Sequence, residues 1–277
     1  MKKAVFFDVD GTLWDQKMRI PASTRNAIHS LRQNGHLAFV CTGRSMGNLN
    51  SAELRSLGFD GYVAACGAHI EISGEPVYTY RIPGETLQLV LEITASCKMP
   101  VVLEGPVYHW ISKWGFDNDH YIDYLFGSMG EGARYLTDYD PSMFVNKFSA
   151  DVLACTDYDR IRAVLGNDFD FIEHGKLSQS DTVDRNDPLC VLDIIEAVPK
   201  GLSKATGMKW VADHLGLAPC DIFAFGDSAN DLEMLKAAGT GIAMGGSRPN
   251  VCAAADYVTS ALHENGIFNG LRHFDLI

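Results

Sequence analysis

Two aspartates two residues apart, Asp8 and Asp10, stand at the end of the apolar run Ala4-Val5-Phe6-Phe7 and are followed by Gly11 and Thr12. Carboxylates this close raise one pKa of the pair unless a cation or hydrogen bonds compensate them. The spacing therefore suits a metal site or a nucleophile beside a proton donor, and an Asx-type turn at a strand end uses the same residues. Three further segments carry related chemistry. Thr42-Gly43 follows the apolar run His36–Cys41, Lys200-Gly201 is expected to open a helix, and Gly226-Asp227-Ser228-Ala229-Asn230-Asp231 follows another apolar run. Taken singly, each is an ordinary turn or helix cap. Together they place carboxylates, a hydroxyl and a lysine at the ends of strands.

The elements that must position these residues follow from periodicity. Short apolar runs at Ala4–Phe7, His36–Cys41 and Tyr62–Ala65 alternate with helical stretches at Pro21–Gly35 and about Asn48–Leu57. This order predicts a parallel sheet, and open α/β sheets place ligands beyond the carboxyl ends of their strands. A continuing strand would direct Asp8 and Asp10 to one face, with Gly11 permitting a sharp turn after them. Ile70–Ile72 and Val77–Tyr80 around Ser73-Gly74 read as a hairpin. A mixed block then begins, with helices expected at about Glu85–Cys97, Asp119–Met129 and Asp157–Leu165. Its strands are expected around Gly105-Pro106, at Lys147–Leu153 and at Asp168–Ile172. The parallel pattern resumes near Leu192, with a helix ending near Leu215, a strand at Asp221–Phe225, a helix at Asp231–Ala238 and a strand at Thr240–Met244. The expected architecture is α/β, a doubly wound Rossmann-like parallel core formed by 1–82 and 191–277 with an inserted α/β domain at 83–190.

Composition bounds the function. The 277 residues are 47% hydrophobic, enough for substantial cores, and the formal net charge of -12 argues against general binding to nucleic acid or to an anionic membrane. No run approaches the roughly 18 apolar residues of a membrane span. Seven scattered cysteines without a Cys-x-x-Cys pair favour neither a disulfide framework nor a zinc site. These features predict a soluble, cytoplasmic protein and leave its oligomeric state open.

If the strand ends lie side by side, Asp8 and Asp227 can hold a hard divalent cation through oxygen, and Mg²⁺ suits that donor set. Thr42 offers a hydroxyl and Gly43 close backbone approach. Lys200 offers a compact positive charge for phosphate. Asn230 is placed to orient a phosphate oxygen or the loop, and Asp231 to pair with Lys200 or support the metal shell.

The motifs Phe6-Phe-Asp-Val-Asp-Gly-Thr-Leu13, Cys41-Thr-Gly-Arg44, Pro199-Lys200-Gly201 and Phe225-Gly-Asp-Ser-Ala-Asn-Asp-Leu-Glu-Met234 resemble the haloacid dehalogenase superfamily, specifically its Cof-like phosphatases with a large α/β cap. Gly241-Ile-Ala-Met-Gly245 and Ala255-Asp-Tyr-Val-Thr259 extend the likeness. The resemblance implies that Asp8 is a nucleophile forming an aspartyl-phosphate and that Asp10 is the general acid and base. It also implies that Mg²⁺ is held by the Asp8 and Asp227 carboxylates and the Asp10 carbonyl, while Thr42, Gly43, Lys200 and Asn230 bind the phosphoryl group. The implied activity is hydrolysis of small phosphorylated metabolites, with sugar phosphates foremost. A sugar phosphomutase and a phospho-accepting module of receiver type are alternatives. Asp10 and the large insertion weigh against the receiver, since a switch needs neither a leaving-group acid nor a lid.

Several residues stay open between packing and recognition. Arg44 is placed to meet substrate or to make a surface ion pair. Trp14 is expected to pack rather than line a channel, as are Tyr108, His109, Trp110, Trp114 and Phe116 in the insertion. The polar stretch His174–Asp187 reads as a loop.

Overall fold

The computed structural model describes residues 2–112, 127, 129–173 and 187–277. The chain divides into two compact units: Met1–Arg44 with Ser51–Thr79 and Leu202–Ile277, and Ser45–Asn50 with Tyr80–Gly201.

The first unit is built on an eight-stranded sheet in the order β14-β13-β12-β1-β2-β3-β4-β5. Its strands are β1 (Ala4–Phe7), β2 (Leu37–Cys41), β3 (Gly61–Ala64), β4 (His69–Ile72), β5 (Glu75–Thr79), β12 (Ile222–Gly226), β13 (Thr240–Ala243) and β14 (Tyr257–Val258). β14 through β3 run parallel, and β4 and β5 add an antiparallel hairpin at one edge. β1 is central, and all four of its residues are buried, which is why it reads as an unbroken apolar run. Alternation sends Phe6 to one face, stacked on Phe39 at 5.0 Å between ring centroids, and Phe7 to the other, stacked on Phe225 at 5.1 Å. Each such ring contributes roughly 1.5–3 kcal/mol by burial.

The second unit carries a six-stranded sheet in the order β10-β11-β9-β6-β7-β8. Its strands are β6 (Val101–Glu104), β7 (His109–Ile111), β8 (Ala133–Tyr135), β9 (Lys147–Leu153), β10 (Phe169–Glu173) and β11 (Val191–Pro199), with helices Gly84–Ser96 and Tyr158–Leu165. Its core brings Leu87, Val90 and Ile93 of the first helix and Ile161 and Leu165 of the second together with Leu103, Phe148 and Ile195.

Two expectations are corrected here. Val191–Pro199 was expected to open the returning parallel half, but it pairs antiparallel with β9 and β10 and belongs to the second sheet. The return to the first unit therefore falls between Gly201 and Leu202, not at 191. An apolar strand reads alike in either sheet, and only its partners distinguish the two. The segment Ser45–Asn50, expected within the core, packs with the second unit. The helix expected at Asp119–Met129, the stretch His174–Asp187, Trp114 and Phe116 fall wholly or almost wholly outside the described residues.

Candidate active site

β1 ends at Phe7, and the amide of Asp8 still bonds the Phe225 carbonyl of β12 at 2.9 Å. This bond fixes Asp8 between β1 and β12, with its residue only 3% exposed. The chain then coils instead of continuing as a strand. The Leu13 and Trp14 amides both donate to the Val9 carbonyl, and Gly11 turns at φ +87°. A Cβ at Gly11 would lie 2.4 Å from Asp227 Oδ2, so both the turn and the close approach require glycine. Because the strand stops early, the two aspartates have different partners. Asp8 turns into a buried polar cluster, whereas Asp10 accepts two hydrogen bonds from Arg44, Nε at 2.7 Å and Nη2 at 2.8 Å, and one from Trp14 Nε1 at 2.9 Å.

The lysine of this cluster is Lys204, not Lys200. Lys200 closes the second unit, where its Nζ sits 2.7 Å from Asp170 Oδ1 and both side chains are about half exposed. The helix begins later than the Lys200-Gly201 pair suggests, because Ser203 caps it in a reciprocal box with Thr206. In the helix Lys204–His214 the buried positions are Lys204, Gly207, Met208, Val211 and Ala212. Lys204 thus continues the helix's inward stripe at i, i+3, i+4 and i+7, a signal available in the sequence but hidden by its charge. Gly207 lets this helix seat closely, since a Cβ there would lie 2.5 Å from Val63 Cγ1 and 2.9 Å from Gly67 Cα.

Lys204 Nζ donates to Asp8 Oδ1 at 2.7 Å, to Asp231 Oδ1 at 2.7 Å and to Asn230 Oδ1 at 3.2 Å. Asp231 is fully buried, and its other oxygen accepts the amides of Asp227 and Ser228, each at 3.0 Å. The Gly226–Asp231 loop is therefore folded around the carboxylate that also holds the lysine. Thr12 Oγ1 donates to Asp227 Oδ1 at 2.9 Å, tying the first motif to the last. Thr42, at the end of β2, is buried, its amide on the Val63 carbonyl at 2.8 Å and its hydroxyl accepting the Arg44 amide at 3.1 Å. Gly43 is buried beside it. Arg44, besides holding Asp10, lies over the Trp14 ring at 5.2 Å. Trp14 is buried as expected and in addition donates to Asp10, a role that size alone does not reveal.

Charge explains what the cluster is suited to hold. Asp8, Asp227 and Asp231 bring ligand oxygens within 4.8 Å of one another. Burial and the Asp231 charge push the Asp8 carboxyl well above its usual range despite Lys204. Asp227 is pushed up to about 6, first by burial and then by Asp231. Lys204 keeps its proton, since Asp231 and Asp8 outweigh the burial that alone would favour the neutral amine. One ammonium against three carboxylates leaves negative charge in excess. A hard divalent cation neutralises such a set through oxygen ligands, so these residues fit one. Asp10 differs from its neighbours. Burial alone would raise its pKa, but the Arg44 hydrogen bonds and charge, with Trp14, lower it.

In the second unit His109 and Trp110 are buried and Tyr108 faces the Arg134 guanidinium at 3.5 Å. Among the described helices none is long and apolar enough to cross a membrane.

A family model described as haloacid dehalogenase-like hydrolase matches residues 5–271. The chain is 29% identical over 279 residues to the protein named "Putative phosphatase YkrA" of Bacillus subtilis, covering 99% of this chain and 98% of that one. It is 26% identical to the HMP-PP phosphatase of Yersinia pseudotuberculosis over 91% of this chain and 86% of that protein. Among solved structures, a protein from Geobacillus kaustophilus superposes with a TM-score of 0.81 at 27% identity, and the subclass IIB sugar phosphatase BT4131 with 0.78 at 25%; each covers 100% of both chains.

Proposed function

Because the chain belongs to the haloacid dehalogenase-like hydrolases, we propose that it is a Mg²⁺-dependent phosphomonoesterase that hydrolyses a small phosphorylated metabolite, a sugar phosphate foremost, through an aspartyl-phosphate on Asp8. The observation that carries this reading is the convergence of Asp8, Asp231 and Asn230 on the buried Lys204, with Asp227 beside them. A structural ion pair needs one carboxylate per lysine. This cluster supplies more anionic oxygen than its lysine can satisfy and seats it where parallel strands end.

In this reading an Asp8 carboxylate oxygen attacks phosphorus and the bond from phosphorus to the leaving oxygen breaks. Asp10 donates a proton to the departing alkoxide. Water then attacks the phosphorus of the aspartyl-phosphate, Asp10 takes its proton, and Asp8 is regenerated with release of phosphate. Asp10 must change partners to do so, because Arg44 and Trp14 hold it ionised. Lys204 neutralises charge on Asp8 and on the transferring group and takes the part expected of Lys200. Thr42 and Gly43 bind phosphoryl oxygens, Asn230 orients them, and Asp231 fixes Lys204. The Asp8 and Asp227 carboxylates and the Asp10 carbonyl would hold the Mg²⁺, which when bound supplies charge neutralisation for the phosphoryl oxygens.

The substrate class is supported by the names of two relatives, a sugar phosphatase and an HMP-PP phosphatase, both enzymes of small phosphorylated compounds. The net charge of -12 disfavours nucleic acid as partner. The seven free cysteines accord with the reducing cytoplasm where such metabolites reside.

The test is phosphate release from a panel of sugar phosphates, nucleotides and phosphorylated cofactors, with and without Mg²⁺, for wild type and Asp8→Asn. Metal-dependent release that Asp8→Asn abolishes is expected. Release that persists in Asp8→Asn, or transfer of the phosphoryl group to a second sugar position, overturns the assignment.

A further inference from the structure

Ser228 and Asn230 stand on the loop between β12 and the helix Leu232–Ala237, both half-buried and both within the first unit. Ser228 is extended, at φ −125° and ψ 174°, and the short turn Ala229–Asp231 that follows brings the Asn230 side chain back over it. Asn230 Oδ1 accepts from Ser228 Oγ at 2.6 Å and from Lys204 Nζ at 3.2 Å. Chemistry decides which end of the amide meets the lysine: an ammonium only donates, so the amide oxygen must face it. A flipped amide would set its N–H groups against that ammonium and leave its oxygen without either donor. The two N–H donors of Asn230 therefore point away from Lys204 and Ser228, and they have no partner among the described residues.

Lys204 alone holds this amide weakly. Its three N–H donors are divided among Asp8 and Asp231, each at 2.7 Å, and Asn230, the longest bond of the three. The Ser228 hydroxyl has a single proton and two acceptors in reach, Asn230 Oδ1 at 2.6 Å and Asp231 Oδ2 at 3.2 Å. Asp231 Oδ2 already accepts the amides of Asp227 and Ser228. The proton therefore serves Asn230, whose oxygen otherwise has only the long bond to lysine. Because Asp8 Oδ1 and Asn230 Oδ1 share one ammonium, the amide is a close neighbour of the carboxylate proposed to take the phosphoryl group. An amide in that place favours an anion only with its donors forward, since an oxygen there would repel it.

We propose that Ser228 is a positioning residue for phosphoryl binding: its hydroxyl, with the Lys204 ammonium, turns the Asn230 amide so that its N–H donors rather than its oxygen are offered to the phosphoryl group. The inference rests on the phosphatase reading of that site. It assigns a task to a residue that itself touches neither the nucleophile nor the transferring group.

The test uses the full chain with Ser228→Ala, Ser228→Thr, Asn230→Ala and the double variant carrying both alanines. The first measurement needs no turnover: the side-chain amide signals of Asn230 in nuclear magnetic resonance, identified by their loss in Asn230→Ala. They are expected to shift in Ser228→Ala, to stay near their wild-type positions in Ser228→Thr, and to move in the wild type when inorganic phosphate is added with Mg²⁺. Signals that ignore Ser228→Ala, or that ignore phosphate at concentrations that inhibit the enzyme, overturn the proposal. The second measurement is kinetics on p-nitrophenyl phosphate. Ser228→Ala is expected to lower kcat/KM about tenfold and to weaken inhibition by inorganic phosphate about fivefold, while Ser228→Thr stays within about threefold of wild type. Once Asn230 is alanine, Ser228→Ala should cost less than about a further twofold. A hydroxyl that only braced the loop through Asp231 would cost as much in that background as in the wild type, so additive losses overturn the assignment. Ser228→Cys, which keeps the volume and donates only weakly, replaces Ser228→Ala should the alanine variant fail to fold. If the wild type releases no phosphate the phosphatase reading fails, and the Asn230 signals with and without the Ser228 hydroxyl still decide whether Ser228 sets the amide.

Discussion

Lys204 carries the largest consequence of any single residue. Its Nζ is shared by Asp8 and Asp231 inside the protein, while the Nζ of Lys200 shares an exposed pair with Asp170. Removing a buried cation from between carboxylates leaves uncompensated charge, whereas an exposed pair contributes roughly 0–1 kcal/mol. Lys204→Met is therefore expected to lower kcat/KM by about 10²-fold or more, and Lys200→Met to change it by less than about twofold. Steady-state assays of both variants on one substrate check this, and the reverse ranking would return the role to Lys200. The gathering of the carboxylates was legible in the sequence: Asp8, Asp227 and Asp231 come together at the strand ends. The lysine was not, because Lys200 beside Gly201 looks like a helix start. The true start is set four residues later by the Ser203 cap. The partners of Asp10 were hidden for a different reason. Arg44 and Trp14 reach it because β1 ends at Phe7 and the chain coils, a local event that apolar periodicity does not record.

The helix Lys204–His214 can seat Lys204 only because Gly207 lies against Val63 and Gly67. Gly207→Ala must move the helix outward by a fraction of an ångström, which overpacking places at about 1–3 kcal/mol. It is expected to lower the melting temperature and also kcat, by displacing Lys204 from Asp8. Calorimetry with kinetics on the same preparation checks it, and unchanged values for both would mean that the close approach is slack. In the second sheet, β6 and β9 bury Glu104 against Lys147, with Glu196 of β11 at 2.9 Å from the same ammonium. Burial alone would raise the Glu104 pKa, but the Lys147 charge, with His109 Nε2 at 3.7 Å, brings it down to about 2 from 4.5. A pKa lower in the folded than in the unfolded state stabilises above the unfolded value and is lost as pH falls from 4.5 through about 2, a contribution on the order of 3 kcal/mol. Thermal unfolding between pH 2 and 7 should therefore show a steeper acid loss for wild type than for Glu104→Gln. Equal slopes would show that another group governs it.

At the scale of the whole molecule, the order of elements was readable in Ala4–Phe7, Leu37–Cys41, Gly61–Ala64 and Ile222–Gly226, whose buried strands form consecutive neighbours of one sheet. Parallel strands covered on both faces must be apolar throughout, so they announce themselves. The boundary of the insertion did not. Val191–Pro199 is equally apolar, and its membership of the second sheet rests on antiparallel pairing with residues 40 or so positions earlier, which no local pattern encodes. The short closing elements Pro249–Ala254, Tyr257–Val258 and Gly266–His273 also escaped the sequence reading, being too short for a distinct period.

The central step of the proposed reaction is the phosphorylation of Asp8. The most direct measurement is a rapid-quench reaction of Asp10→Asn with p-nitrophenyl phosphate and Mg²⁺, a substrate whose leaving group needs no protonation, followed by mapping of the phosphorylated peptide. Because this variant lacks the base that activates water, it is expected to release nitrophenolate in a burst equal to the enzyme present. The phosphoryl group should remain on Asp8 and be cleaved by hydroxylamine. Linear release without a burst while phosphate appears, or label on any residue other than Asp8, would contradict it.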